Sequence, residues 1–114
     1  MTEQNRLTPQ VERDNEGFLL DTEDWTPELA DAFAREDDIS LNAEQREIIR
    51  FIRDYYEQYC SVPEARKALK HMKKVWGPEK ATRKYLYGLF PRGYGQQACK
   101  IAGMRKPLKL MLDI

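Results

Sequence analysis

The segment around Cys99 holds the residues best suited to chemistry. It reads QQACKIAG: Lys100 adjoins the cysteine, and Arg92 and Arg105 lie within a few positions. Positive neighbours favour the thiolate, the form that attacks disulfides and carries sulfur. We therefore expect Cys99 to be the reactive residue, reachable by a partner between small residues and glycines, with these three cations stabilising its charge. The alternative is that Cys99 fills space in the core.

The other candidates for chemistry are weaker. Cys60 follows the predicted end of a helix, where the negative pole disfavours thiolate, so we interpret it as an inert small apolar residue. His71 is the only histidine, which leaves little material for a transition-metal site or a cysteine–histidine pair. We expect no metal and no cofactor.

Composition limits the class of protein. A length of 114 residues with 41% hydrophobic residues predicts one domain with one modest core. No apolar run reaches the length of about 18 residues needed to cross a membrane. The N-terminus is polar and two cysteines make no disulfide framework, so we expect a cytoplasmic location.

The charges are unevenly distributed along the chain. Residues 1–60 hold 16 acidic and 6 basic residues, and residues 61–114 hold 3 and 13, giving net charges of −10 and +10. Such asymmetry indicates either a basic face with an acidic partner or two halves that complement each other in the fold.

The elements that must position Cys99 are mainly helical. The turn residues 14–17 predict a short β-hairpin over about 6–22. Thr26 and Pro27 are typical of a helix start, with an apolar face that follows. Apolar spacing predicts a central core helix over about 43–59, including Tyr55 and Tyr59 in the core. Two further helices are expected at about 64–76 and 79–89, and a short one at 96–103 with Gly103 as its cap.

The helices at 64–89 present a basic surface. Two basic helices joined by a glycine turn are compatible with a DNA-binding helix-turn-helix, although the second helix offers few residues that read bases. Contacts to RNA or to an acidic protein fit better, and a solvated basic face is the plain alternative. The candidate contact residues are Arg66, Lys70, Lys73, Lys80 and Arg83.

Four segments together resemble the DsrC/TusE family of sulfur-relay proteins. They are EGFLLDTEDW, IIRFIRDYYEQY, KYLYGLFPRG and QQACKIAGMRKP, and they cover nearly the whole chain in order. The resemblance implies a mainly α (α+β) fold, namely a small helical domain with an N-terminal β-hairpin and a mobile C-terminal arm. We expect a single domain of residues 1–114, with a hairpin region at 6–22, a helical core at 26–103 and an arm at 104–114.

The sequence departs from the family at the position that the resemblance implies for sulfur transfer. The carrier cysteine of the family is normally the penultimate arm residue, eleven positions after the site of Cys99. That position is Leu110, so a two-cysteine mechanism lacks one partner. The arm also continues to Ile114.

The resemblance implies a sulfur-relay carrier or accessory protein, more than a stand-alone enzyme, in tRNA 2-thiouridine synthesis or dissimilatory sulfur metabolism. Cys99 would then carry the persulfide. Implied partners are a sulfur-relay protein complex or sulfite reductase, and a tRNA-thiolating enzyme. The alternative is a regulatory protein that transfers no sulfur and binds relay partners, or nucleic acid, through the basic helices at 64–89.

Overall fold

A computed structural model describes residues 11–106 of the chain. Four α-helices of seven residues or more follow one another, and the chain then enters a π-helical turn that runs directly into a short fifth helix. Short 3-10 turns lie at Thr22–Asp24 and Pro78–Lys80. The helices are α1 (Pro27–Glu36), α2 (Ala43–Tyr59), α3 (Ala65–Trp76), α4 (Arg83–Leu89) and α5 (Cys99–Ile101), with the π-turn at Tyr94–Ala98.

The starts of the first two helices follow from their capping residues. The Thr26 hydroxyl accepts a hydrogen bond from the backbone N–H of Leu29 at 3.1 Å, and Pro27 occupies the first helical position. At α2, Asn42 and Gln45 form a reciprocal capping box, with distances of 2.7 and 2.8 Å. The predicted helix at 43–59 is confirmed at both of its ends.

Two predictions about the helices need correction. The fourth helix begins at Arg83 and not near Glu79, because the Thr82 hydroxyl caps it by accepting from the Tyr85 N–H at 3.0 Å. Tyr59, predicted in the core, is 57% exposed, and Tyr55 is only half-buried. The last turns of the long helix α2 extend beyond the elements that cover its centre.

The predicted N-terminal β-hairpin is not confirmed. Residues 11–106 contain one isolated antiparallel bridge, between Arg13 and Leu19, and no longer strand. The turn itself forms, with the Gly17 N–H bonded to the Asp14 carbonyl at 3.0 Å. The Asp14 carboxylate also accepts the N–H groups of Glu16 and Phe18. Across the turn, the Asp14 N–H donates to the Phe18 carbonyl at 2.8 Å and the Leu20 N–H to the Glu12 carbonyl at 3.1 Å. Residues 6–10 of the predicted hairpin lie outside the described residues.

The core forms where α1, α2 and the C-terminal segment meet. The predicted α1 face is buried, and so are Ile48 and Ile52 at the centre of α2. Phe18, Phe33 and Phe90 add large buried aromatic rings. Within the described residues, no helix combines the length and apolar character needed to cross a membrane.

The end of α5 is closed by a glycine in the left-handed region. Gly103 has φ of 81°, and the N–H groups of Gly103 and Met104 return to the carbonyls of Lys100 and Cys99 at 3.0 and 3.1 Å. This pattern is a Schellman cap, as the sequence predicted. A Cβ at position 103 would lie 2.4 Å from the Trp25 Cδ1 atom, so the cap also requires a residue without a side chain at this position.

We expect Gly103→Ala to lower the free energy of unfolding by about 1–3 kcal/mol, because it adds both backbone strain and overlap with Trp25. Urea denaturation followed by circular dichroism measures the change. Gly88→Ala is the matched control, since Gly88 lies inside α4 with no atom within 4 Å of the new Cβ. The control should gain about 0.5–1 kcal/mol from its higher helix propensity. Equal effects at the two positions would contradict the proposed role of the Trp25 contact.

Candidate functional site

Cys99 lies in the core and not on the surface. It begins α5 and has 0% exposure, as do Ala98, Ile101 and Ala102 beside it in sequence. The small neighbours that suggested access for a partner instead let the segment pack closely against α1 and α2. The expectation of an accessible thiol is therefore corrected, because the short helix turns its cysteine inward. A role for Cys99 in carrying sulfur stays a prediction.

The Cys99 side chain interacts with a buried tyrosine. The Tyr94 hydroxyl donates to the Pro63 carbonyl oxygen at 2.7 Å, and it also hydrogen-bonds with the Cys99 side chain. Burial, and then the neighbouring Cys99, raise the pKa of Tyr94 well above its ordinary value.

The three cations predicted to support a thiolate have different surroundings. Arg92 is exposed, with its Nε atom 3.9 Å from a carboxylate oxygen of Asp37. Lys100 is half-buried and lies against Gly17, where a Cβ would be 2.9 Å from its Cε atom. Arg105 is exposed. A role for these cations at Cys99 stays a prediction.

A buried glutamine fixes the turn that precedes Cys99. Gln97 is 1% exposed; its Nε2 atom donates to Asp37 at 3.0 Å and its Oε1 atom accepts the Arg92 N–H at 3.1 Å. The π-turn is thereby attached to the C-terminal end of α1. Each buried polar atom of this turn has a partner, which keeps the segment closed.

Two residues distant in sequence hold the other end of the segment. The Trp25 indole N–H donates to the Ile101 carbonyl at 2.8 Å. Arg53 donates to the carbonyls of Ala102 and Thr22 at 3.0 and 3.1 Å, and its guanidinium lies 4.5 Å from the centre of the Trp25 ring. Burial lowers the pKa of Arg53, although the group keeps its charge in this setting. No local sequence pattern predicted these contacts of Arg53 and Trp25, because they join residues 49 and 76 positions apart.

The predicted partner surface is divided among several elements. Arg66, Lys70 and Lys73 are exposed on α3, and Arg66 pairs with Glu64 at 3.0 Å. Lys80 lies in the following 3-10 turn and pairs with Glu44 at 2.9 Å, while Arg83 starts α4 and is half-buried. The exposed basic surface is therefore centred on α3.

The ion pair of Lys80 belongs to a small network that joins α4 to α2. Glu44 accepts hydrogen bonds from the Tyr85 hydroxyl and from Lys80, and these bonds lower the pKa of the Glu44 carboxyl. Lys80 therefore has a structural partner and is a poorer candidate for binding an external anion. Within residues 11–106, no group of three side chains is arranged to hold a metal ion.

Comparisons with known proteins agree with this architecture. The family model described as "DsrC like protein" matches residues 7–111. The chain is 42% identical over 100 residues to the protein named Sulfurtransferase TusE of Escherichia coli K12, covering 88% of this chain and 92% of that protein.

Solved structures are also similar. The oxidized gamma-subunit of dissimilatory sulfite reductase (DsrC) from Archaeoglobus fulgidus matches with a TM-score of 0.81 and 38% identity, covering 91% of this chain and 92% of that one. DsrC of Allochromatium vinosum matches with a TM-score of 0.78 and 44% identity, covering 87% and 88% of the two chains.

Cys99 should be protected from thiol reagents in the folded protein. We expect a Cys60→Ser variant, which leaves Cys99 as the only thiol, to react with a disulfide reagent at least about a thousand-fold more slowly when folded than in denaturant. The Cys99→Ser variant is the control, because Cys60 is exposed and should react at once. Equal rates for Cys99 in the folded and unfolded chain would contradict the buried position.

The Tyr94 hydroxyl should contribute measurably to stability. Tyr94→Phe leaves the buried Pro63 carbonyl without its donor, so we expect the free energy of unfolding to fall by about 1–3 kcal/mol. Tyr87→Phe is the control at a partly exposed position and should change stability by less than about 0.5 kcal/mol. Denaturant titration of both variants tests the difference, and a neutral Tyr94→Phe would refute it.

Proposed function

The chain belongs to the DsrC-like protein family, and we propose that it acts in a sulfur relay as an accessory protein that binds relay partners without carrying persulfide on Cys99 in its folded state. The role in sulfur relay rests on the relationship to TusE and DsrC. The choice of an accessory role rests on one observation, the complete burial of Cys99.

A carrier thiol must meet the sulfur of a donor protein. Attack on a persulfide requires a thiolate that the donor can approach, and burial in apolar surroundings disfavours that form. Cys99 hydrogen-bonds with Tyr94 and lies inside the core. To act as a carrier it would need the α5 segment to separate from Trp25, Arg53 and Pro63.

The arm supports the same proposal. The residue at the position of the usual family carrier is Leu110, whose side chain has no sulfur. Position 110 lies outside the described residues, and most of the predicted arm at 104–114 does too. Met104 is buried, so an arm would begin after it. Without a thiol at 110, the two-cysteine chemistry of the family has no second partner here.

Binding to a partner requires a folded protein surface and does not require an accessible thiol. We propose a sulfur-relay complex or a sulfite reductase as the class of partner, with a tRNA-thiolating enzyme as a further one. The cytoplasm is the proposed compartment, since Cys60 and Cys99 are both free thiols. An accessory protein of this kind would compete with a cysteine-bearing relative for the same partner and so limit sulfur flow.

Mass spectrometry tests whether Cys99 carries sulfur. The Cys60→Ser variant is incubated with a cysteine desulfurase and cysteine, and its intact mass is measured. We expect no adduct of about 32 Da, the mass of one sulfur atom, on folded Cys99. The double variant Cys60→Ser, Cys99→Ser supplies the background. An adduct that is present on Cys99 and absent from the double variant would establish a carrier and overturn the accessory role.

A competition assay tests partner binding. We expect excess wild-type chain to slow sulfur transfer by Escherichia coli TusE in a reconstituted relay, and Cys99→Ser to slow it equally. A chain that leaves the rate unchanged at any excess would oppose the proposal.

A further inference from the structure

The exposed side of α3 carries five cations and no carboxylate. Arg66, Lys67, Lys70, Lys73 and Lys74, here called the basic face, are all exposed. At about 100° per residue, their side chains span an arc of about 120° around the helix. Within residues 11–106, the four lysines form no ion pair, whereas Arg66 pairs with Glu64. Evenly spaced cations without interleaved acids are suited to a polyanion.

An aromatic cleft borders the basic face. Phe51, Tyr55, Tyr59 and His71, here called the aromatic cleft, line a cavity of about 320 Å³ between α2 and α3. The Phe51 and His71 rings stack at 4.5 Å, and the Tyr55 and Tyr59 rings lie 4.6 Å apart. Tyr59 is 57% exposed, so much of its ring remains uncovered.

The two surfaces are continuous. A five-residue connection joins α2 to α3, and the His71 ring stacks on the Phe51 ring. Lys67 precedes His71 by one turn, and Tyr55 follows Phe51 by one turn. Lys67 therefore lies beside His71 on α3, where the basic face meets the aromatic cleft.

The carboxylates near the cleft are already engaged. Arg50 donates to Glu47 at 2.8 Å and to Asp54 at 3.1 Å. Glu47 also bonds to His71 at 2.7 Å. Although burial opposes it, the hydrogen bonds from Arg50 and His71 lower the pKa of the Glu47 carboxyl. Both acids bond to Arg50 and not to a lysine of the basic face.

We propose that the basic face and the aromatic cleft together bind RNA at an unpaired loop, the lysines contacting phosphates and Tyr59 stacking on a base. Cations that follow the backbone beside an exposed aromatic ring are the usual means of binding single-stranded nucleic acid. RNA presents unpaired bases in loops, whereas cellular DNA is mostly paired. An acidic protein would use the cations but has no need of the aromatic ring. This inference does not rest on the sulfur-relay role.

Fluorescence anisotropy with a labelled RNA stem-loop tests the proposal on the full chain. We expect binding that weakens with salt and exceeds binding to the fully paired duplex of the same composition. Lys67→Gln with Lys74→Gln should reduce the salt slope by about 0.7 per lysine. Arg46→Gln, which removes one positive charge from the face toward α1, should leave the slope unchanged.

The stacking step has its own pair of variants. We expect Tyr59→Ala to weaken binding of the stem-loop about ten-fold, and Tyr59→Phe, which keeps the ring, to bind as the wild type does. Absence of binding at low salt, or equal affinity of Tyr59→Ala and wild type, would overturn the proposal. Displacement of the RNA by poly-glutamate at equal charge concentration would assign the face to an acidic protein instead.

Discussion

The closed state of the C-terminal segment depends on backbone carbonyls that find their partners far away in sequence. A helix as short as α5 leaves its last carbonyl groups unpaired, and burial makes such groups costly unless a donor reaches them. Trp25 and Arg53 supply those donors to Ile101 and Ala102, and the arginine also lies over the indole ring. Gly103 leaves room for the Trp25 side chain because it has no side chain of its own.

The position of Cys99 follows from that closure. With the end of α5 fixed to Trp25 and the π-turn fixed through Gln97 to Asp37, the cysteine between them faces the core. Its thiol then meets the Tyr94 hydroxyl, whose own hydrogen is committed to Pro63.

Ion pairs within the fold neutralise part of the opposite charges of the two halves of the chain. Pairs such as Lys80 with Glu44 and Lys106 with Glu16 join the basic half to the acidic half. The lysines of α3 are not drawn into such pairs within the described residues, so the fold leaves a local excess of positive charge there. Complementary halves and a basic surface, which the sequence offered as alternatives, therefore coexist.

Local sequence determined the elements that depend on local contacts. The cap at Thr26, the capping box at Asn42, the helix at 43–59 and the glycine cap at Gly103 could all be predicted, because each depends on residues within one or two turns. The family could also be inferred, since motifs in the correct order specify a fold. The start of α4 was missed because Thr82 is a capping residue inside a segment that otherwise reads as helical.

Tertiary structure alone decided the state of the candidate site. Whether Cys99 faces solvent, where Lys100 points and which carbonyls Trp25 reaches depend on how α1 and α2 pack against the last described segment. The aromatic cleft beside the basic face likewise requires α2 and α3 to lie side by side. Sequence spacing predicts which residues share one side of a helix, but the burial of a side chain is determined by the other elements that pack over it.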